Sequence, residues 1–112
     1  MTVIGAGKQL QQVLEAWPHI TYQPHRFGGT EYLIGTREIG HVHGDHLVDI
    51  PLTVKMRDEV IAAGTAERHH LLADSGWVSL YLRQRVDIEK ALSLFKLSYD
   101  AALKQKGLRS DP

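Results

Sequence analysis

Three closely spaced glycine turns divide residues 20–50 into four short segments that have the character of β-strands. The turns lie at 28–29, 35–37 and 44–45, and the segments lie at 20–22, 31–34, 38–43 and 47–50. Strands joined by such short turns pair as antiparallel hairpins, because a parallel crossover needs about a dozen residues or more. The chain is therefore restricted to an antiparallel meander, and Pro24 predicts that its first strand lies at an edge or ends there.

Hydrophobic residues at helical spacing predict three helices around this meander. The first helix carries an apolar stripe formed by Leu10, Val13, Leu14 and Trp17. Pro18 is expected to stop it, while Thr53 and Asp87 are expected to cap the second and third helices. Two further strands, 66–72 and 77–82, lie between those helices. The order α-ββββ-α-ββ-α predicts a two-layer α+β fold, in which helices pack on one face of an antiparallel sheet of about six short strands.

Length and composition limit the classes of function. The 112 residues fit a single domain over 1–112, with a core at about 8–106 and a loose tail at 107–112. Lys plus Arg equals Asp plus Glu at 13 each, so the cationic excess that drives nucleic-acid binding is missing. A net charge near zero favours self-association, and a homodimer is expected. The chain has no cysteine, no secretory signal and no apolar run that would span a membrane, so the cytoplasm is the expected location.

Histidines are concentrated in the segment 41–46, which reads HVHGDH. Residues two apart in a strand point the same way, so His41 and His43 are expected to project side by side. Imidazole is a common ligand for divalent transition metals, and Asp45 and His46 in the adjoining turn could complete a metal site. The alternative is that these histidines are structural or solvated. His70 is a further candidate, because only one of the pair 69–70 can share a strand face with the others.

A second group of candidate residues lies in the turn 74–77. Ser75 could act as a nucleophile if a histidine served as its base. The surrounding residues do not form a nucleophile elbow, however, and turn chemistry alone explains Asp, Ser and Gly at a strand connection. Trp77 could line a ligand groove, or it could pack in the sheet.

Several segments, taken in order, resemble signatures of the family labelled luciferase-like or "luciferase domain-containing". These segments are 27–32 (FGGTEY), 39–45 (IGHVHGD), 69–70 (HH), 74–79 (DSGWVS) and 97–99 (LSY), and the resemblance covers about residues 20–103. The resemblance implies the family's fold and suggests that the signature residues share one ligand site, namely His41, His43, Asp45, His70, Ser75 and Trp77. A fainter similarity to YjbR-like proteins rests on 76–80 and 98–99, and it implies a DNA-binding role.

Several functions remain open at this point. The favoured one is binding of a small molecule or a divalent metal in a pocket lined by the strand of His41 and His43 and by the turn 74–77. The alternative is a non-catalytic, homodimeric interaction module. Further alternatives are a metal-dependent hydrolase or oxidoreductase, and weak DNA binding. The residues do not decide whether the protein is an enzyme.

Overall fold

Residues 2–110 are described by the computed structural model, and they form an α+β fold in the predicted order. The helices are α1 (Ala6–Leu14), α2 (Val54–Ala62) and α3 (Val86–Lys106). The strands are β1 (Ile20–Pro24), β2 (Thr30–Ile34), β3 (Arg37–His43), β4 (Leu47–Pro51), β5 (Glu67–Arg68) and β6 (Trp77–Tyr81). No helix in the described part of the chain is both long and apolar enough to span a membrane.

All six strands belong to one antiparallel sheet, in the order β1-β2-β3-β4-β6-β5. The first four strands form the predicted meander, and β6 returns to pair with β4. The register between β2 and β3 shifts at Ile39, since Tyr32 pairs with Gly40 while Leu33 pairs with Glu38. This extra residue is a β-bulge, which changes the sheet face on which the following side chains emerge.

The hydrophobic core lies between α3 and one face of the sheet. Val48 and Ile50 of β4 are fully buried there, as is Phe95 of α3. The ring of Phe95 meets Tyr32 edge-on, with ring centroids 5.6 Å apart. Because residues in a strand alternate between faces, the side chains between these core positions emerge on the opposite face, away from α3.

The ends of the core and of the first helix differ from the sequence prediction. The first helix ends at Leu14 rather than at Pro18, and Trp17 packs beyond the helix end against Tyr99, with ring centroids 5.0 Å apart. The core begins before residue 8, since Val3 is buried. Residues 107–110 of the predicted tail are exposed, while residues 111–112 lie outside the described part.

The predicted caps have different outcomes. Thr53 caps α2 as expected, because its hydroxyl accepts a hydrogen bond from the Met56 amide at 3.1 Å. Asp87 is not the N-cap of α3, since the helix begins one residue earlier. Its carboxylate instead reaches back and accepts hydrogen bonds from the amides of Arg83 and Gln84, at 2.8 and 3.0 Å. These two donors lie in the segment that leads into the helix, before its N-cap at Arg85.

Substitution of Gly40 by alanine is expected to lower the free energy of unfolding by about 1–3 kcal/mol through overpacking. An added Cβ would lie 2.5 Å from Cε1 of Phe95 and 2.6 Å from Cδ1 of Ile50. Gly28→Ala is the matched control, because Gly28 also has a positive φ but has nothing within 4 Å of the new atom. Urea unfolding of both variants measures the difference. Equal losses of stability would show that α3 does not pack closely on Gly40.

Candidate metal centre

The sheet face opposite α3 carries a cluster of polar side chains on three neighbouring strands. His41 of β3 lies directly opposite Asp49 of β4, and Asp49 lies opposite Ser79 of β6. Asp49 is only 1% exposed and His41 only 7%. Burying a carboxylate is costly unless it is paired, so the partners of Asp49 define the chemistry of this face.

Four imidazole rings surround one oxygen of Asp49. The Nε2 atoms of His41 and His43 each lie 3.2 Å from Oδ2, and those of His70 and His69 lie 3.5 and 3.6 Å from it. A carboxylate oxygen offers about two lone pairs, and charge-assisted N–H···O bonds are usually about 2.7–2.9 Å long. Two lone pairs therefore leave about two of these four nitrogens without a hydrogen bond to this oxygen.

The two contacts of 3.2 Å match the spacing of ligands around a cation. Zinc ligands at about 2.0–2.1 Å in a tetrahedron are about 3.3 Å from one another. Three overlapping groups of side chains place all their ligand atoms within 4.8 Å of one another. They are His25–Glu38–His41, His41–His43–Asp49 and Asp49–His69–His70. The group His41–His43–Asp49 contains the two shortest contacts to Oδ2 of Asp49, and we call it the metal triad.

Glu38 fixes the orientation of His41. The Nδ1 atom of His41 donates to Oε2 of Glu38 at 2.7 Å, because a carboxylate can only accept. Burial acts to lower the pKa of His41, but hydrogen bonds to Asp49 and Glu38 outweigh it and raise that pKa to about 9. Without a metal, His41 is thus an imidazolium between two carboxylates. A carboxylate that holds the outer nitrogen of a histidine is the usual second-shell arrangement of a metal site.

Asp49 is held by Ser79 on its other oxygen. The Ser79 hydroxyl donates to Oδ1 at 2.6 Å, which leaves Oδ2 directed toward the imidazoles. Burial acts to raise the pKa of Asp49, but hydrogen bonds from His41 and Ser79 hold it well below the ordinary value of an aspartate. Asp49 is therefore ionised at neutral pH, as a metal ligand must be.

His69 and His43 have different roles in the cluster. The Nδ1 atom of His69 accepts hydrogen bonds from the amides of Leu71 and Leu72, at 3.1 and 3.0 Å, so its proton is on Nε2 and faces Asp49. Burial lowers the pKa of His69, which keeps this ring neutral. His69 is accordingly a support for Asp49 rather than a metal ligand. Burial and the neighbouring His41 lower the pKa of His43, which favours the neutral, ligating form.

A cavity of about 440 Å³ opens above the triad. One wall is the loop between β1 and β2, where His25 stacks on His41 with ring centroids 4.1 Å apart. The other wall is the loop that follows β5, together with Trp77. Its size falls within the usual range of small-molecule pockets, about 300–1,000 Å³.

Of the residues predicted from sequence, His41, His43, His70 and Trp77 line this cavity. The expectation that only one histidine of the pair 69–70 joins them is wrong. The strand β5 ends at Arg68, so the two rings follow it in a loop and both reach Asp49. Strand alternation does not apply in that loop.

Asp45, His46 and Ser75 lie elsewhere. The carboxylate of Asp45 accepts hydrogen bonds from the amides of Gly5 and Gly7, at 3.1 and 2.8 Å, and it lines a separate cavity beside α1. The ring centroid of His46 is 6.5 Å from that of His43, and His46 is in none of the potential metal groups of residues 2–110. Ser75 donates to the Leu72 carbonyl and accepts from the Trp77 amide, which are the contacts of a turn residue.

Sequence reasoning missed the two carboxylates of the cluster. Asp49 was available as a signal, because it is an isolated charge inside the apolar strand β4, which is otherwise buried except at its last residue. No such signal marks Glu38, because the regular alternation of side chains along β3, counted back from His41, places Glu38 on the opposite face of the sheet. The bulge at Ile39 returns it to the face of His41.

The family model for the luciferase domain matches residues 36–98, which is more than half of the chain. This chain belongs to the luciferase domain family. No curated protein and no solved structure matches it. The matched segment of this luciferase domain includes the whole metal triad, with Glu38 and His70, whereas His25 precedes it. The similarity to YjbR-like proteins stays a prediction. Since a fold does not define an activity, the chemistry of the site rests on its own residues.

Proposed function

We propose that this luciferase domain binds a divalent transition-metal ion through Nε2 of His41, Nε2 of His43 and Oδ2 of Asp49. The observation that carries the proposal is the convergence of Nε2 of His41 and Nε2 of His43, each 3.2 Å from the same buried oxygen of Asp49. Two histidines and one carboxylate form a common ligand set for zinc and for non-haem iron.

The bound ion would keep an open coordination position. The triad supplies three protein ligands, and the cavity above it gives a small molecule access to the fourth position. Closed structural zinc sites have four protein ligands, whereas sites that bind or transform a ligand have three. His70 stands beside Asp49 with a side chain that is 36% exposed, so it faces any molecule that enters.

Two supporting groups also hold the proposed ligands in place. Glu38 holds the outer nitrogen of His41, and Ser79 holds the outer oxygen of Asp49. Both ligands are thus fixed from behind, with Nε2 of His41 and Oδ2 of Asp49 3.2 Å apart. No observation on residues 2–110 specifically favours a homodimeric interaction module, a metal-dependent hydrolase or oxidoreductase, or a cytoplasmic location. These three stay predictions.

Zinc titration of metal-free protein by calorimetry tests this function. We expect about one zinc per chain, and His43→Gln is expected to weaken binding about 100-fold. The reason is that about 10–16 kcal/mol of binding by four ligands amounts to about 3 kcal/mol for each. His46→Gln is the matched control, because this histidine lies three residues away and outside the triad. Equal affinity of the two variants, or no zinc binding by the wild type, would refute the proposed site.

A further inference from the structure

We infer that the cavity above the triad takes a small apolar molecule of about two fused rings that carries one anionic oxygen donor, such as an aryl carboxylate. This inference rests on the proposed metal site and names the class of ligand that would occupy its open position. Two independent features of the cavity support it: an exposed apolar rim and a charge balance that favours one anion.

The rim of the cavity is apolar although it faces solvent. Phe27, Leu71 and Leu72 are 74%, 81% and 50% exposed, and all three line this cavity. Eight large hydrophobic side chains are exposed among residues 2–110. Three of these eight lie together at the opening of this cavity. Grouped exposed apolar side chains at a concave site are typical of ligand binding. Trp77 completes this rim as a half-buried aromatic wall.

The floor of the cavity is polar, so a ligand must combine two chemistries. Its body would contact the rim, while a donor atom would reach the ion between His41 and Asp49. The carboxylates of Glu38 and Asp49 offset the two charges of a divalent ion. Arg26, which also lines the cavity, adds one positive charge and lies over the Phe27 ring at 4.7 Å from its centroid. The loaded site thus attracts a single negative charge, and an anionic oxygen is a suitable donor for such an ion.

The volume of the cavity sets the size of the ligand. A cavity of about 150 Å³ holds one benzene molecule. The 440 Å³ above the triad therefore accommodates roughly two to three rings. A two-ring aromatic acid fills most of this space and leaves its acidic group free to face the floor.

The experiment compares two probes of equal shape, 2-naphthoate and neutral 2-naphthamide, on zinc-loaded protein. We expect 2-naphthoate to bind at least tenfold more tightly, and its binding to weaken at least tenfold when zinc is removed. Leu71→Ser should weaken 2-naphthoate binding about tenfold, because the apolar surface that the probe would bury against Leu71 is lost. Ile4→Ser is the matched control, since Ile4 is equally exposed at 81% but lies outside the cavity. Calorimetry gives the affinities, and amide NMR shifts locate the probe.

Zinc affinity is measured separately for each variant without a probe, so that the two proposals fail distinguishably. If zinc binds but 2-naphthoate binds no more tightly than 2-naphthamide, the inferred ligand class is overturned and the metal site stands. The same holds if Leu71→Ser and Ile4→Ser bind 2-naphthoate equally. If zinc does not bind, the proposed function is overturned, and so is the inferred ligand class, because it depends on the bound ion.

Discussion

Replacement of Asp49 by asparagine is expected to lower the zinc affinity of this luciferase domain about 1000-fold. The Ser79 hydroxyl holds one oxygen of Asp49 at 2.6 Å, and an asparagine that keeps its oxygen there turns its amino group toward the imidazoles. An amide nitrogen has no lone pair for a metal, so the site loses both a ligand and a negative charge. The loss of one ligand accounts for about 3 kcal/mol, and the lost charge adds to it.

Asp45→Asn is the control for this substitution. Asp45 belongs to the same histidine-rich segment, but its carboxylate binds the backbone of Gly5 and Gly7 beside α1. The zinc affinity of the Asp45→Asn variant should therefore match that of the wild type, as measured by competition with a fluorescent chelator. Circular dichroism of both variants checks that they fold. Loss of zinc from Asp45→Asn and retention by Asp49→Asn would place the site in the turn instead.

Zinc at 100 times its dissociation constant is expected to raise the melting temperature of the metal-free protein by roughly 10 °C. Binding to the folded state alone stabilises it by about 2.7 kcal/mol at that concentration. A domain of this size gains roughly 4 °C for each kcal/mol. The triad joins β3 to β4, so a bound ion would connect two central strands that must separate on unfolding. Scanning calorimetry with zinc, and again after addition of EDTA, measures the gain and its reversal.

The double variant His41→Gln/His43→Gln is expected to show no zinc-dependent gain. Each protein is compared with its own metal-free form, so a lower starting stability of the variant does not affect the result. Asp49, His69 and His70 remain in that variant, which tests whether this group of the cluster binds zinc by itself. A gain equal to that of the wild type would show that zinc binds outside the triad.

The fold was largely predictable, because its main determinants are local. The turns at 28–29, 35–37 and 44–45 specify hairpins, and hairpins specify neighbours in the sheet. The pairing of β4 with β6 was not predictable in this way, since 25 residues separate Pro51 from Trp77 and no short turn joins them. The helix ends also depend on tertiary contacts, as the packing of Trp17 on Tyr99 beyond α1 illustrates.

The candidate site was predictable only in part. Strand alternation was sufficient to place His41 and His43 together, because both lie in one regular stretch of β3. Asp49 joins them through strand register, and Glu38 joins them through the bulge at Ile39. Neither feature can be derived from the period of a single strand. Asp45, although adjacent in sequence, is directed to α1 by the turn that contains it.

Diffraction from zinc-soaked crystals, collected on both sides of the zinc absorption edge, tests the metal site most directly. We predict one strong anomalous peak about 2.0–2.2 Å from Nε2 of His41, Nε2 of His43 and Oδ2 of Asp49. A peak beside Asp45 and His46, or no peak above the triad at saturating zinc, would contradict the proposed metal centre.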